Sequence, residues 1–326
     1  MVVTSDRGSN PRTSTISTSG IASGEDLLLH RESMTDQAIR PIEFTKMSGA
    51  GNDFVILDNR KGVVTEPADF ARKICDRRFG IGADGILLLE SSSKADFLMK
   101  YYNADGSYGG MCGNGGRCIS RFAFAKEIVK KSEMSFEALD YIYNASLVND
   151  DVKLRMKAPT DIRLHTTLEA LGGKIVFHFI NTGSPHCIVF IDENKHLGTV
   201  IDKIDVESVG REIRRHSYFS PGGTNVTFVE QRDPTLFYTR TYERGVEAET
   251  LACGTGSVAT ALIAHRVRGA MPPLRILVRS GEYLTVGFVP KDENKYDDVT
   301  LLGSAHISFK GVLDYNFTSH SIADIA

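Results

Sequence analysis

Two segments of the chain carry the same chemistry-bearing pattern. Met111-Cys112-Gly113-Asn114-Gly115-Gly116 and Ala252-Cys253-Gly254-Thr255-Gly256-Ser257 each place a cysteine and glycines just ahead of a helical stretch. A helix start carries unpaired backbone N–H groups and about half a positive charge. Both features favour a thiolate, so a lowered thiol pKa is expected at each cysteine. The glycines let backbone amides approach a bound anion. One such loop alone reads as a structural turn cysteine, a phosphate loop or a catalytic thiol. Two matching loops, 141 residues apart, favour chemistry, because a duplicated turn has no need of its cysteine in both copies.

Two symmetric thiols in one cleft suit proton transfer at carbon. One removes a proton from one face and the other returns a proton to the opposite face. A Cα–H beside a carboxylate is a very weak acid, so the carbanion needs preorganised donors, which two helix starts supply. No pyridoxal phosphate is then required as electron sink. Other chemistries fit less well. There is no C-x-x-C for a redox pair, no short-spaced set of four zinc ligands, and no Gly-Lys-Ser/Thr of a P-loop. Cys75, Cys118 and Cys187 sit in apolar stretches and read as packing.

The elements that must position these loops occur twice. At 326 residues the chain exceeds a single core, so two domains are expected. It is 41% hydrophobic and 24% charged, in the range of a soluble globular protein. A net charge of −3 gives no bulk attraction to nucleic acid or anionic membrane, and no apolar run reaches a span's length. Five cysteines, an odd count, indicate free thiols in a reducing, cytoplasmic setting. Residues 1–24 hold ten Ser or Thr and few large apolar side chains. They are expected to be a dispensable tail or an over-extended start ahead of Met34. A transit peptide is the weaker option, and a secretory signal is not expected.

From about residue 41 the order runs strand, Gly turn (Ser48 to Asp53), strand, helix from Pro67, strands, Cys-Gly loop, then a helix over 118–130. Strand, turn (Asn181 to His186), strand, helix from Val206, strands, Cys-Gly loop and a helix over 258–268 repeat it. The expected divisions are a tail over 1–40, domains over 41–158 and 159–303, and a segment over 304–326 returning to the first domain.

The residues at this point resemble the diaminopimelate epimerase family. The similarity runs through Phe44 to Phe54, Cys75 to Gly85, Asn103 to Ser107, Met111 to Cys118, Tyr242 to Gly245 and Ala252 to Gly256. The resemblance implies an isomerase that interconverts LL- and meso-diaminopimelate without cofactor or metal, in lysine and peptidoglycan biosynthesis. It implies an α/β fold of two pseudosymmetric domains, each a curled, mostly antiparallel sheet or barrel around a central helix. Cys112 and Cys253 match the family's catalytic cysteines. Asn52, Asn103 and Asn225 match substrate-holding asparagines, and Glu243 and Arg244 match its acidic and basic substrate contacts. Gly113-Asn114 and Gly254-Thr255 match the amide-rich helix starts. His186, Ser184 and Gly85 are secondary candidates. The partner implied is the small-molecule substrate, and a homodimer is open.

These roles suit a ligand with two ammonium and two carboxylate groups. Arg244 can pair bidentately with a carboxylate, and Glu243 can receive an ammonium. Each residue also has a plainer reading: Arg244 as a surface ion pair, His186 as a satisfied turn histidine, Asn225 as a strand-start cap. The chain departs from the family at Ser48, often His, and at Ser184, often Asn; Ser107 to Gly110 is less polar than usual. The neighbouring proline racemase and hydroxyproline epimerase family shares the two-cysteine design, but usually has His where this chain has Asn114. A non-catalytic anion-binding or redox-sensing domain is the remaining alternative.

Overall fold

A computed structural model describes residues 39–292, 295–319 and 321–322. The expected tail therefore lies outside the described residues, except that Ile39 and Arg40 already belong to the first strand.

The first half begins with a hairpin of β1 (Ile39–Gly49) and β2 (Asn52–Asp58). Its turn, Ala50-Gly51, has positive φ at both positions (57° and 92°), as a tight hairpin turn with matching twist requires. There follow α1 (Pro67–Ile74), β3 (Gly85–Glu90), β4 (Phe97–Asn103), α2 (Gly113–Ala125), β5 (Glu133–Ala138), β6 (Tyr141–Val148) and β7 (Asp151–Arg155). The second half runs β8 (Thr160–Ala170), β9 (Gly173–Asn181), β10 (Pro185–Phe190), α3 (Val206–Arg214), β11 (Asn225–Gln231) and β12 (Leu236–Glu243). It continues through β13 (Ala248–Thr250), α4 (Gly254–Arg268), β14 (Leu274–Leu277), β15 (Tyr283–Asp292) and β16 (Lys295–Ser304), and the chain then forms β17 (His306–Asn316) and β18 (Ser321–Ile322).

The strand pairings show how completely the two halves repeat. In the first, β17-β1-β2-β3-β4-β5-β6-β7 pair in that order, antiparallel except at β2–β3 and β4–β5. In the second, β8-β9-β10-β11-β12-β14-β15-β16 are antiparallel except at β10–β11 and β12–β14. The parallel steps fall at the same places, and each is bridged by a helix because parallel neighbours need a crossover. Helices α1 and α3 bridge the first step, α2 and α4 the second. The β7–β16 pair joins the halves edge to edge. The sheet is curled but not closed, so the barrel alternative does not apply. No helix among the described residues is long and apolar enough to cross a membrane.

The largest buried cluster runs through both halves and contains the apolar sides of α2 and α4. Separate clusters lie under α1 and α3. Helix α4 is buried on nearly every side from Gly254 to Ala264, its Ser257 and Thr260 included, and ends on Gly269 at φ 66°. Helix α1 opens on Pro67, with Asp69 in its first turn and Arg72 and Lys73 in its last.

Both Cys-Gly helices start earlier than the expected ranges, immediately after the cysteine. The glycines that weaken helix propensity there are packing requirements. A Cβ on Gly116 would stand 3.1 Å from Phe136 and 3.3 Å from Leu154, and one on Gly115 3.2 Å from Leu87. Tertiary contact overrides the propensity cost of about 1 kcal/mol per glycine. Strand β8 was not anticipated. Its burial is slight and its register shifts twice, with positive φ at Asp161 and His165, so it shows no clean alternation.

Helix α3 tests packing against propensity. A Cβ on Gly210 would stand 2.4 Å from Tyr242 Cβ, on the strand that carries Glu243. Helix propensity alone makes Gly210→Ala stabilising by about 1 kcal/mol, whereas overpacking costs about 1–3 kcal/mol. Urea unfolding of Gly210→Ala is expected to show a net loss of stability; a gain would mean that the α3–β12 contact is loose.

Candidate functional site

Cys112 and Cys253 are the N-cap residues of α2 and α4, both in extended conformation. The two helices meet start to start. A Cβ on Gly254 would lie 3.7 Å from Gly113 Cα, and Leu301 Cδ2 of β16 packs beside both glycines. This contact sets two arrays of unpaired backbone donors around one point, at the floor of a cavity of about 1250 Å³ between the halves.

Most residues singled out from sequence line this cavity: Asn52, Asn103, Cys112, Gly113, Asn114, Ser184, Asn225, Glu243, Arg244, Cys253, Gly254 and Thr255. His186 and Gly85 do not. His186 is fully buried behind Thr255, its Nε2 2.9 Å from Thr255 Oγ1. Gly85 lies under the wall, where a Cβ would meet Tyr102 O at 2.4 Å and the Tyr101 ring at 2.6 Å. Its role is to seat Tyr101, whose hydroxyl donates to Asn103 Oδ1 at 2.6 Å.

The side chains hold one another in register. Asn114 Nδ2 donates to Asn52 Oδ1 (3.3 Å) and to Ala252 O (3.2 Å), so it ties the two cysteine loops together. Asn114 Oδ1 accepts from Arg117 Nη2, and Arg117 Nε donates to Ser304 O. Asn52 Nδ2 donates to Asp84 Oδ2 at 2.6 Å. Asn225 Nδ2 donates to Ser184 Oγ (2.8 Å) and Pro185 O (2.9 Å), and its Oδ1 accepts from the Arg244 backbone N–H. Ser184 thus accepts a hydrogen bond from Asn225. Among the described residues the exposed Arg244 guanidinium makes no ion pair, which removes the surface-ion-pair reading. Glu243 accepts from Thr250 Oγ1 at 3.0 Å.

Electrostatically the site departs from the expectation of lowered thiol pKa values. Burial pushes the Cys112 thiol up to about 11, although the amides of Gly115 and Asn114 pull it down. Burial also raises Cys253, with the Glu243 carboxyl adding to it and the Thr255 hydroxyl opposing it. The helix starts act as anticipated, but desolvation is the larger effect. Burial likewise raises Glu243. Burial also holds His186 neutral, with a pKa near 3, and the nearby Arg244 charge acts in the same direction.

Arg77 and Asp84 lie within the Cys75 to Gly85 motif, where sequence alone assigns them no role. Arg77 pairs with both Asp53 and Asp84 at 2.8 Å along the cavity wall, and Lys46 pairs with Asp53 at 2.8 Å. Burial raises the Asp53 carboxyl, but Arg77 and Lys46 outweigh it and bring it down to about 2. Only the spacing of charges within Cys75 to Gly85 could have suggested this network.

The sequence model described as diaminopimelate epimerase matches residues 44–160 and 178–299. A diaminopimelate epimerase from Chlorobaculum tepidum is 44% identical over 270 residues, covering 82% of this chain and 99% of the relative. One from Aquifex aeolicus is 38% identical over 287 residues, covering 83% and 98%. Among solved structures, a hydroxyproline epimerase from Agrobacterium vitis aligns with a TM-score of 0.65 at 17% identity, covering 86% of this chain and 94% of that one. A phenazine biosynthesis protein of the PhzF family from Bacillus anthracis aligns at 0.64 and 16% identity, covering 84% and 99%. At such identities the structural likeness concerns the fold alone.

The raised thiol gives a signed expectation. Cys112 stays protonated through neutral pH, and its thiolate appears only as pH climbs toward about 11. Iodoacetamide labelling of unliganded protein, read at the Cys112 peptide by mass spectrometry, is expected to rise steadily from pH 7 to 10. A plateau near pH 8 would show that the helix start outweighs burial after all.

Proposed function

This chain belongs to the diaminopimelate epimerase family, and we propose that it interconverts LL- and meso-diaminopimelate by two-cysteine proton transfer at Cα. On this reading it works without cofactor, in lysine and peptidoglycan biosynthesis. The observation that carries the proposal is the placement of Cys112 and Cys253 as N-caps of two helices that meet start to start on one cavity.

The reacting carboxylate occupies the space between the helix starts. There the backbone N–H groups of Gly113, Asn114, Gly254 and Thr255 stabilise the charge that develops as the Cα–H bond breaks. One cysteine, as thiolate, takes that proton. The other, as thiol, delivers its own proton to the opposite face. The products are an inverted carbon and a site whose thiol and thiolate have exchanged places, ready for the reverse reaction. A pair of thiols made reluctant to ionise by burial suits this task, because a desolvated thiolate is a stronger base than a hydrated one.

The distal end of the substrate selects for its own configuration. The unpaired Arg244 guanidinium takes the distal carboxylate, with Asn225 fixing the backbone at that residue. Glu243, already disfavoured as a bare buried carboxylate, takes an ammonium group. A substrate lacking the ammonium leaves the desolvated Glu243 carboxyl without its partner, and one lacking the distal carboxylate forgoes the charge-assisted contact with Arg244.

Proton NMR of LL-diaminopimelate in deuterium oxide tests the reading. Loss of the Cα–H signal with appearance of the meso isomer is expected, and Cys112→Ala and Cys253→Ala are each expected to lose about 10²–10⁴-fold in rate. Exchange of proline or hydroxyproline in its place would reassign the substrate; no exchange with any of them would remove the catalytic reading. Arg244→Met is expected to lower kcat/KM about 10–100-fold, as loss of a charge-assisted contact does.

A further inference from the structure

The two halves repeat in backbone, but the side chains that touch the two sulfurs are chemically opposite. Cys112 Sγ lies 3.6 Å from Asn52 Oδ1, an acceptor. The hydrogen-bond chain fixes that orientation. Asn52 Oδ1 already accepts from Asn114 Nδ2, which is itself oriented by Arg117 and by Ala252 O, and Asn52 Nδ2 is held by Asp84. An acceptor facing sulfur favours S–H.

Cys253 Sγ lies 3.6 Å from Thr255 Oγ1, a hydroxyl that can donate or accept. His186 settles which. Its Nε2 meets Thr255 Oγ1 at 2.9 Å, while its Nδ1 is buried with no partner among the described residues. A buried N–H without an acceptor is the costlier defect, so the hydrogen sits on Nε2 and Nδ1 is left as a bare lone pair. Nε2–H then donates to Thr255 Oγ1, and the hydroxyl hydrogen is free to point at Cys253. A donor facing sulfur favours S⁻.

We propose that His186 and Thr255 form a positioning relay that favours Cys253 as the base, while Asn52 favours Cys112 as the acid, so that the two sulfurs are unequal once the substrate ammonium has neutralised Glu243. The inference rests on the two-cysteine reading above. The charged and titratable groups facing the pair are Glu243 at both sulfurs, Arg117 at Cys112, each cysteine toward the other, and Arg244 at His186. Glu243 opposes a thiolate at Cys253 in the empty site. A substrate ammonium on Glu243 cancels that opposition and leaves the relay to decide.

The test is per-cysteine alkylation of the unliganded protein with iodoacetamide at pH 9, resolved by peptide mass spectrometry, in wild type, Thr255→Val and Thr255→Ser. Thr255→Val keeps the shape and removes the hydroxyl. It is expected to slow labelling of Cys253 about tenfold, one unit of thiol pKa, with Cys112 unchanged. Thr255→Ser is expected to restore the wild-type ratio. An unchanged Cys253 rate in Thr255→Val, or equal slowing at both cysteines, would overturn the relay. Should Thr255→Val not fold, Thr255→Ala makes the same comparison with the same two outcomes. Labelling requires no turnover, so its failure is distinct from a failure to epimerise diaminopimelate.

Discussion

Two helix starts pressed end to end repel one another. Each carries about half a positive charge, and Gly113 and Gly254 bring these ends so near that a Cβ on either would touch the other. No hydrogen bond between the two backbones relieves this, since both present donors. The protein holds the arrangement with groups set around it. Leu301 packs beside both glycines, Asn114 reaches across to Ala252, and the buried Arg117 ties Asn114 to Ser304 at the end of β16. The remaining relief is an anion at the junction, which is where the proposed reaction puts its carboxylate. Every other feature of the cavity is arranged around that point.

The same burial that concentrates this field works against ionising the thiols. Cys112 and Cys253 are both raised, and so is Glu243, which faces them. Charges in the empty cavity sit where they are paired at its wall, as with Arg77, Asp53 and Asp84, or exposed to solvent, as with Arg244. A zwitterionic ligand changes this, because it brings its own counter-charges to each of these groups. Recognition and activation then draw on the same desolvation.

The duplicated order of turn, strands, Cys-Gly loop and helix was legible in the sequence because hydrophobic runs and glycine breaks recur in both halves. So were most of the candidate residues that line the cavity, through their motifs, though not the Arg77–Asp84 pairing on its wall. Three further things were not. The helices starting at Gly113 and Gly254 were read as beginning later, because four-residue glycine-rich starts look like loops until Leu87, Phe136 and Leu154 in one half, and Leu301 and Thr227 in the other, are seen packed close against them. Strand β8 lacked alternation because little of it is buried. The thiols were expected to be acidified, because a helix start is visible in sequence and the depth of burial is not. Gly85 and His186 were assigned by motif alone; one seats Tyr101 and the other stands behind Thr255.

The pairing of β1 with β17 has a consequence for how the chain is made. Ile39 through Ser48 find their partners in His306 through Asn316, with the whole second half between them in sequence. The intervening strands can form as they leave the ribosome, but one flank of the first half stays open until β17 has been synthesised. Long-range pairing of this kind is slow and leaves an unpaired strand edge exposed in the meantime. For the nascent chain, β1 is a waiting edge, and a strand made after the entire second half completes the first.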